Sequence, residues 1–278
     1  MKHEESFLKS VRGTKIYSQG WLPECEVKAV LLVVHGLAEH SGRYANLVNH
    51  FVPLGYAVYG LDHIGHGKSE GLRVHVEQFE DFTDTLKIYY DMIRVWHPDA
   101  PIILVGHSMG ALIGAFYLLD HQDEFAGAVL SGASVKIPED VSQAIIFVGK
   151  VLSILAPKMG LIQLEAEYVS RDPEVVAAYV NDPLVTIGKY TARLAAELLK
   201  AIERVAAQAG TIRLPLLLLQ GSEDKLADPT GAQMLYDTVS SEVKTLKLYD
   251  GLYHEVYNEP EREQVFQDME EWLERQLN

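Results

Sequence analysis

The sequence predicts an α/β fold: a mostly parallel central sheet with helices on both faces and a helical cap inserted after the strand that ends near Ser131. Three observations predict it. Short apolar runs alternate along the chain with stretches of helical period, as in repeated strand–helix units. One run, residues 101–105, leads into a glycine-flanked serine and then into helix-forming residues. The alternation stops after Ser131 for about eighty residues, too many for a bare loop.

The apolar runs place the strands and the periodic stretches place the helices. Strands are predicted near residues 14–18, 29–35, 56–61, 101–105, 127–131, 215–220 and 244–249. Helices are predicted over 44–53, 79–96, 109–121, 230–240 and 261–276, the second ended by His97-Pro98.

The long interruption predicts a cap over residues 134–207, with helices at 139–156, 173–180 and 190–207. It enters the chain at the carboxyl edge of the sheet, where an active site must lie. The first of these helices carries more apolar residues than a partly exposed element needs, namely Ile145, Ile146, Val148, Val151, Leu152, Ile154 and Leu155. Two interpretations stay open: these side chains pack the cap onto the core, or some line an acyl-chain pocket or touch a lipid surface.

Composition indicates a single globular domain spanning residues 1–278. With 48% hydrophobic residues the chain can bury a sizeable core, and it shows no linker or repeat. A formal charge of -15 argues against nucleic-acid partners and favours neutral substrates. The first five residues lack the pattern of a cleaved signal peptide, and no apolar run is long enough to span a membrane. A cytoplasmic location is therefore expected. Peripheral contact with a membrane surface is left open. Cys25 is the one cysteine and cannot form an internal disulfide.

The serine motif carries the strongest functional signal. Residues 106–110 read Gly-His-Ser-Met-Gly between the apolar run and the helix-forming residues. A serine in such a strand–turn–helix sits on a strained backbone with its hydroxyl exposed, and the flanking glycines remove Cβ atoms that would clash. This is the nucleophile elbow of α/β-hydrolases, and Ser108 is the predicted nucleophile.

In that fold the catalytic partners follow the serine in the order acid, then histidine. Of eleven histidines, only His254 lies far enough downstream, in a loop after the strand at 244–249. His254 is therefore the predicted general base. The acid should follow the strand at 215–220, where Glu223, Asp224 and Asp228 compete. Asp228 precedes Pro229 and is expected to cap the next helix, so Asp224 is preferred, with Glu223 as the alternative.

Stabilisation of the tetrahedral intermediate requires two backbone donors near the nucleophile. The amide of Met109 follows Ser108 at a helix start, and the loop after the strand at 29–35 offers the amide of Leu37. His35, His63 and His66 suggest metal ligands at first sight, but they lack a matching carboxylate or thiolate set. Serine chemistry requires no metal, and no cofactor is expected.

Five blocks together resemble the monoacylglycerol lipase family of α/β-hydrolases: residues 35–44, 62–71, 106–110, 221–228 and 249–254. The likeness covers nearly the whole chain, and the first two blocks are more specific than the elbow. The resemblance implies the α/β-hydrolase fold, a helical cap and hydrolysis of monoacylglycerol to glycerol and a fatty acid. It places Ser108, Asp224 and His254 on the catalytic positions.

The resemblance also places Leu37 and Met109 on the oxyanion-hole positions and Glu39 and Arg43 on positions that contact the glycerol end of the substrate. Without it, the last two would be interpreted as a surface ion pair. Some members carry a second histidine where this chain has Tyr257, so the polar pocket is expected to be built differently. A broad carboxylesterase or lysophospholipase activity, and a non-catalytic binding role, are the alternatives.

Overall fold

The computed structural model describes residues 1–137 and 142–277. Within these ranges the chain forms ten strands: β1 (Lys2–Lys9), β2 (Lys15–Leu22), β3 (Ala29–Val34), β4 (Tyr56–Leu61), β5 (Ile102–His107), β6 (Gly127–Ser131), β7 (Gly160–Gln163), β8 (Lys189–Thr191), β9 (Leu216–Gly221) and β10 (Lys244–Tyr249). It also forms eight α-helices: α1 (Ala45–Phe51), α2 (Glu80–Trp96), α3 (Met109–His121), α4 (Gln143–Leu155), α5 (Pro173–Asn181), α6 (Ala192–Gln208), α7 (Pro229–Thr238) and α8 (Arg262–Leu277).

Eight strands form one sheet in the order β1-β2-β4-β3-β5-β6-β9-β10. The β1–β2 and β2–β4 pairs are antiparallel, and every later pair is parallel. The central strands β3, β4, β5, β6 and β9 are buried along their whole length. This is why their sequences are continuous apolar runs rather than alternating ones. The predicted sheet is confirmed.

Helices cover both faces of the sheet. On one face α2, α3, α6 and α7 contribute to a core that includes Leu86, Leu112, Val205 and Leu235. On the other face α1 and α8 contribute to a second core around Phe51 and Trp272. Because the parallel strands end at one edge, the loops that follow β3, β5, β6, β9 and β10 meet there.

The structure adds three strands that the sequence did not predict. β1 is mostly charged and exposed, so it lacks the apolar alternation that marks a strand, and it is held by its register with β2. β7 and β8 form a short antiparallel pair within the inserted region. The predicted helix over 139–156 begins at Gln143, after its cap Ser142, and residues 139–141 lie outside the described residues.

In the inserted region, α4 packs against α6, and α6 in turn packs against α3 of the main layer. The α6 helix thus connects the inserted residues to the core. The boundaries of the cap at 134–207 stay a prediction. Among the residues that the structure describes, none of the helices is long and apolar enough to cross a bilayer.

Candidate active site

Ser108 stands at the turn between β5 and α3 with φ 55° and ψ -120°. A positive φ is strained for a serine, and such strain is characteristic of functional sites. The turn leaves no room beside it: a Cβ added to Gly110 would lie 1.9 Å from the carbonyl oxygen of Val34, and one added to Gly106 would lie 2.6 Å from that of Gly110. The glycines therefore allow the turn to pack onto the end of β3, and Ser108 remains half-buried rather than enclosed.

His254 and Asp224 are hydrogen-bonded partners. His254 Nδ1 lies 2.8 Å from Asp224 Oδ2, and both residues are buried. The other oxygen of Asp224 accepts from the amides of Leu226 and Ala227, each at 2.9 Å, so the carboxylate is held on both sides. Glu223, the alternative acid, is exposed.

The neighbouring helix α7 explains the role of the third acid in this loop. Asp228 accepts from the amide of Thr230 at 2.9 Å, and Pro229 is the first residue of the helix. The predicted capping role of Asp228 is confirmed. The short loop thus divides its acids between two tasks, one structural and one directed at His254.

The charge states of the pair depend on opposing effects. Burial raises the pKa of the Asp224 carboxyl. The nearby His254 and the hydrogen bonds that the carboxylate accepts lower this pKa by a larger amount, so the net pKa lies below its usual value. Burial lowers the pKa of the His254 ring, but the charge of Asp224 and its hydrogen bond raise it above its usual value. Asp224 is thus arranged to stabilise a proton on the ring.

Two contacts place the His254 ring near the elbow. Its ring centroid lies 4.7 Å from that of His107, the residue before Ser108. A Cβ added to Gly132, after β6, would lie 3.1 Å from the His254 ring. Among the described residues, Ser108 Oγ forms no hydrogen bond with His254, and its contact is Ser134 Oγ at 3.5 Å. Hydrogen bonds of this kind often tighten only when substrate binds.

The loop after β3 passes directly beside Ser108. A Cβ added to Gly36 would lie 3.1 Å from Ser108 Cβ. Among the described residues, the amides of Leu37 and Met109 have no hydrogen-bond acceptor. Two unsatisfied amides next to a half-buried serine hydroxyl are suited to bind an oxyanion.

Glu39 and Arg43 form an ion pair, but it is a buried one. Their side chains are 5% and 9% exposed, and Arg43 Nη1 lies 3.0 Å from Glu39 Oε2. Glu39 Oε1 also accepts from the amide of Gly36 at 2.6 Å and from the hydroxyl of Tyr44 at 2.9 Å. The interpretation as a surface pair is wrong, because the helical turn at 41–44 and the segment after β10 cover the pair.

Tyr257 is fully buried as well. Its ring stacks on that of Phe266, with centroids 5.9 Å apart, and lies 6.3 Å from the ring of His107. Tyr257 lines a small cavity of about 10 Å³ together with Glu39 and Arg43, among others. A volume of about 10 Å³ is the least that accommodates one water molecule. The structure therefore brings all three residues to the wall of one small cavity, which His107 also lines.

Sequence reasoning missed Glu255, which follows His254 directly. Its carboxylate is buried and binds Arg43 through both oxygens, at 2.5 and 2.8 Å. The available signal was a charged residue in a segment that has to pack against the sheet edge.

The three histidines His35, His63 and His66 also cluster, with ring centroids 4.3 to 6.4 Å apart. Among the described residues, no group with the make-up of a metal site was found.

Comparison with known proteins gives a consistent set of relatives. The family model described as serine aminopeptidase, S33, matches residues 25–261. A monoacylglycerol lipase of Mycolicibacterium smegmatis is 40% identical over 272 residues, covering 98% of this chain and 97% of that protein. Human monoglyceride lipase is 35% identical over 269 residues, covering 96% and 89%. The crystal structure of Paleococcus ferrophilus monoacylglycerol lipase superposes with a TM-score of 0.83 at 28% identity, covering 99% and 100%.

Proposed function

Because the chain belongs to the monoacylglycerol lipase family of α/β-hydrolases, we propose that it hydrolyses monoacylglycerol to glycerol and a free fatty acid. The relatives support a carboxylic ester hydrolase of this type. The observation that carries the proposal for this chain is the hydrogen-bonded pair of His254 and Asp224 at the same sheet edge as the strained Ser108 turn. A serine, a histidine and a buried carboxylate in this order are what acyl transfer requires.

In the proposed reaction, Ser108 Oγ attacks the ester carbonyl carbon while His254 Nε2 takes the hydroxyl proton. The bond from the acyl carbon to the glycerol oxygen then breaks, and His254 returns the proton to that oxygen. A water molecule then attacks the acyl carbon while His254 takes its proton. The bond from the acyl carbon to Ser108 Oγ breaks, His254 returns the proton to Oγ, and the fatty acid leaves. Asp224 accepts from Nδ1–H throughout, which keeps Nε2 directed to the reacting atoms.

The amides of Leu37 and Met109 are proposed to bind the oxyanion of each tetrahedral intermediate. Neither amide has an acceptor within the part of the chain that the structure describes, and this together with the close approach of Gly36 to Ser108 supports the role. Only the backbone N–H is needed at these positions, so side-chain changes there should be tolerated better than changes at Ser108, Asp224 or His254.

Glu39, Arg43 and Tyr257 are proposed to form the polar end of the substrate site. Because the polar groups of Glu39 and Arg43 are already paired in a buried cluster, contact with the glycerol end would run through a water in the adjacent cavity of about 10 Å³. This arrangement gives the polar end a fixed charge pattern and leaves little room for a bulky headgroup.

The first helix of the cap is proposed to contact the lipid surface that supplies the substrate. Its exposed apolar side chains are Ile145, Phe147, Val148, Ile154 and Leu155. Apolar side chains on one amphipathic element are suited to enter a lipid interface. A neutral substrate extracted from such a surface does not require a basic protein, in keeping with the charge of -15.

A substrate panel tests the proposed function. Monoacylglycerols of several chain lengths would be compared with di- and triacylglycerols, lysophospholipids and short aryl esters, using purified protein. The proposal expects the highest kcat/KM for a monoacylglycerol. If lysophospholipids or short aryl esters are far better substrates than every monoacylglycerol, the alternative of a lysophospholipase or broad carboxylesterase replaces it.

A further inference from the structure

Glu255 is a buried carboxylate with two sets of contacts. Its side chain, 4% exposed, binds the guanidinium of Arg43 with both oxygens, and Asn258 Nδ2 donates to Oε2 at 2.9 Å. Its amide donates to the carbonyl of Val169 at 2.8 Å. Because Glu255 directly follows His254 in the chain, these contacts restrain the turn that carries the ring.

Arg43 continues the link to the opposite side of the site. Its Nη1 also contacts Glu39, and Glu39 accepts from the amide of Gly36. Gly36 lies against Ser108 and precedes Leu37, whose amide is one of the two proposed oxyanion donors. A continuous series of hydrogen-bonded side chains, Glu255, Arg43 and Glu39, therefore connects the His254 turn to the loop after β3.

We propose that Glu255 is a positioning residue: through Arg43 it holds the turn that carries His254 in register with the loop that presents the Leu37 amide. The inference rests on the proposed function, because it assigns a task to the scaffold of that same site. The planar guanidinium fork fixes both distance and orientation when it binds a carboxylate through two bonds. Burial of the whole link strengthens each bond and restricts its motion.

The link also adds charge near the ring. The groups that face His254 are Asp224, Glu255 and Glu39 with negative charge, the ring of His107, and Arg43 bound to two of the carboxylates. Burial lowers the pKa of His254, while Asp224, then Glu255 and Glu39, raise it. Removing the charge of Glu255 should therefore lower the pKa of His254 and move the acid limb of the kcat/KM profile to lower pH.

Glu255→Gln is the first test, because it keeps the shape of the side chain and removes the charge-assisted fork. We expect kcat/KM for a short soluble aryl ester to fall by about tenfold to a hundredfold with KM nearly unchanged. The rate of labelling of Ser108 by a fluorophosphonate probe should fall in the same proportion. Neither compound contains glycerol, so a mere headgroup contact would leave both rates at the wild-type value.

Two further variants keep the test decisive. Arg43→Lys retains the charge but not the fork and should reproduce the loss, even if Glu255→Gln folds poorly. Asp81→Asn is the matched control. Asp81 is a buried carboxylate on α2, apart from these loops, and both of its oxygens accept from Arg12 Nε, at 2.7 and 2.8 Å. We expect it to lower thermal stability without changing the labelling rate per folded molecule or the pH profile.

The proposal is overturned if Glu255→Gln and Arg43→Lys label at the wild-type rate with an unshifted acid limb. It is also overturned if their defect is confined to KM for monoacylglycerol, or if Asp81→Asn slows labelling equally. Failure of the wild-type protein to label at Ser108 is a different result, since it would remove the proposed function on which this inference rests.

Discussion

The part of the cap around α5 and the part around α4 differ in how they contact the rest of the protein. The half around α5 is fastened to the loops of the site: the Tyr179 ring lies 4.6 Å from the Arg43 guanidinium, and Asp182 contacts His40 Nε2 at 3.0 Å. The amide of Thr186 donates to the carbonyl of Ala38 at 2.9 Å. The α4 half packs on α6 instead, and five of its large apolar side chains are 53% to 77% exposed.

This difference separates the two tasks that we propose for the inserted region. The fastened half shares buried contacts with the loops of the candidate site, so it is expected to open only with a large part of the protein. The α4 half has few such contacts and presents apolar surface, so it can respond to a lipid surface without disturbing the site. Breaking either half should therefore give a different pattern of loss.

The largest effect is expected from Tyr179→Ala in the fastened half. Removing this buried ring leaves a cavity over Arg43 and should lower the free energy of unfolding by about 3 kcal/mol. Hydrolysis of a short soluble ester should fall together with stability, because the contact reaches the Glu39 and Glu255 cluster. Chemical denaturation and esterase assays measure both. Tyr179→Phe keeps the ring and should behave like wild type; equal losses in both variants would show that the ring contact is irrelevant.

A fall in pH should destabilise the cluster formed by His35, His63 and His66. Burial lowers the pKa of His35 to about 4 and that of His66 to about 3, and it lowers the pKa of His63 well below 6.5. These rings are neutral in the folded protein, whereas in the unfolded chain they take up protons as the pH falls below about 6.5. Their stabilising contribution is therefore complete above pH 6.5 and is lost as the pH falls toward about 4.

His63 offers a clean test, because both of its ring nitrogens are buried without a partner among the described residues. Each such histidine makes the free energy of unfolding fall by about 1.4 kcal/mol per pH unit in that window. His63→Phe should reduce the slope by about that amount while keeping the ring contact with Phe82. Denaturation at several pH values measures the slope, and an unchanged slope would contradict the prediction.

The α4 half is tested by replacing Phe147, Ile154 and Leu155 with serine together. The free energy of unfolding should change little, since these side chains are already exposed. Activity on a dissolved short ester should stay at the wild-type level, while hydrolysis of monoacylglycerol in vesicles should fall by about tenfold. Vesicle binding and both assays check this. Parallel loss on the dissolved ester would mean that α4 supports the site itself.

The smallest effect comes from a matched pair of helix caps. Asp172 accepts from the amide of Glu174 at 2.8 Å and caps α5, whereas Ser142 accepts from the amide of Ile145 at 3.4 Å and caps α4. Asp172→Ala should cost about 1 kcal/mol in global unfolding. Ser142→Ala should cost less, because we expect α4 to open independently of the rest. Thermal unfolding compares the two, and equal shifts would argue that both halves unfold with the core.

The sequence predicted those features that depend on local pattern. Buried parallel strands such as β3 and β9 are continuous apolar runs, and the Asp228-Pro229 pair marks a helix start whatever the rest of the chain does. Chain order restricted the base to His254, and the helix predicted over 109–121 is observed as Met109–His121. These are constraints that a residue's neighbours impose.

Features that depend on distant partners could not be predicted. Arg43 and Glu255 are 212 residues apart, so nothing near either one indicates that both are buried. Strand β1 is charged because it lies at the edge of the sheet, and its pairing with β2 rather than its composition makes it a strand. The fastening of α5 through Tyr179 and Asp182 likewise follows from packing that only the fold supplies.

The central claim is that Ser108 is the nucleophile of an ester hydrolase beneath this cap. The most direct measurement is the turnover of monoacylglycerol by Ser108→Ala beside wild type, with intact-mass detection of fluorophosphonate labelling. We expect the variant to keep the wild-type unfolding temperature, to lose activity by about three orders of magnitude or more, and to take up no label. A folded Ser108→Ala protein that hydrolyses the ester at close to the wild-type rate would contradict the account.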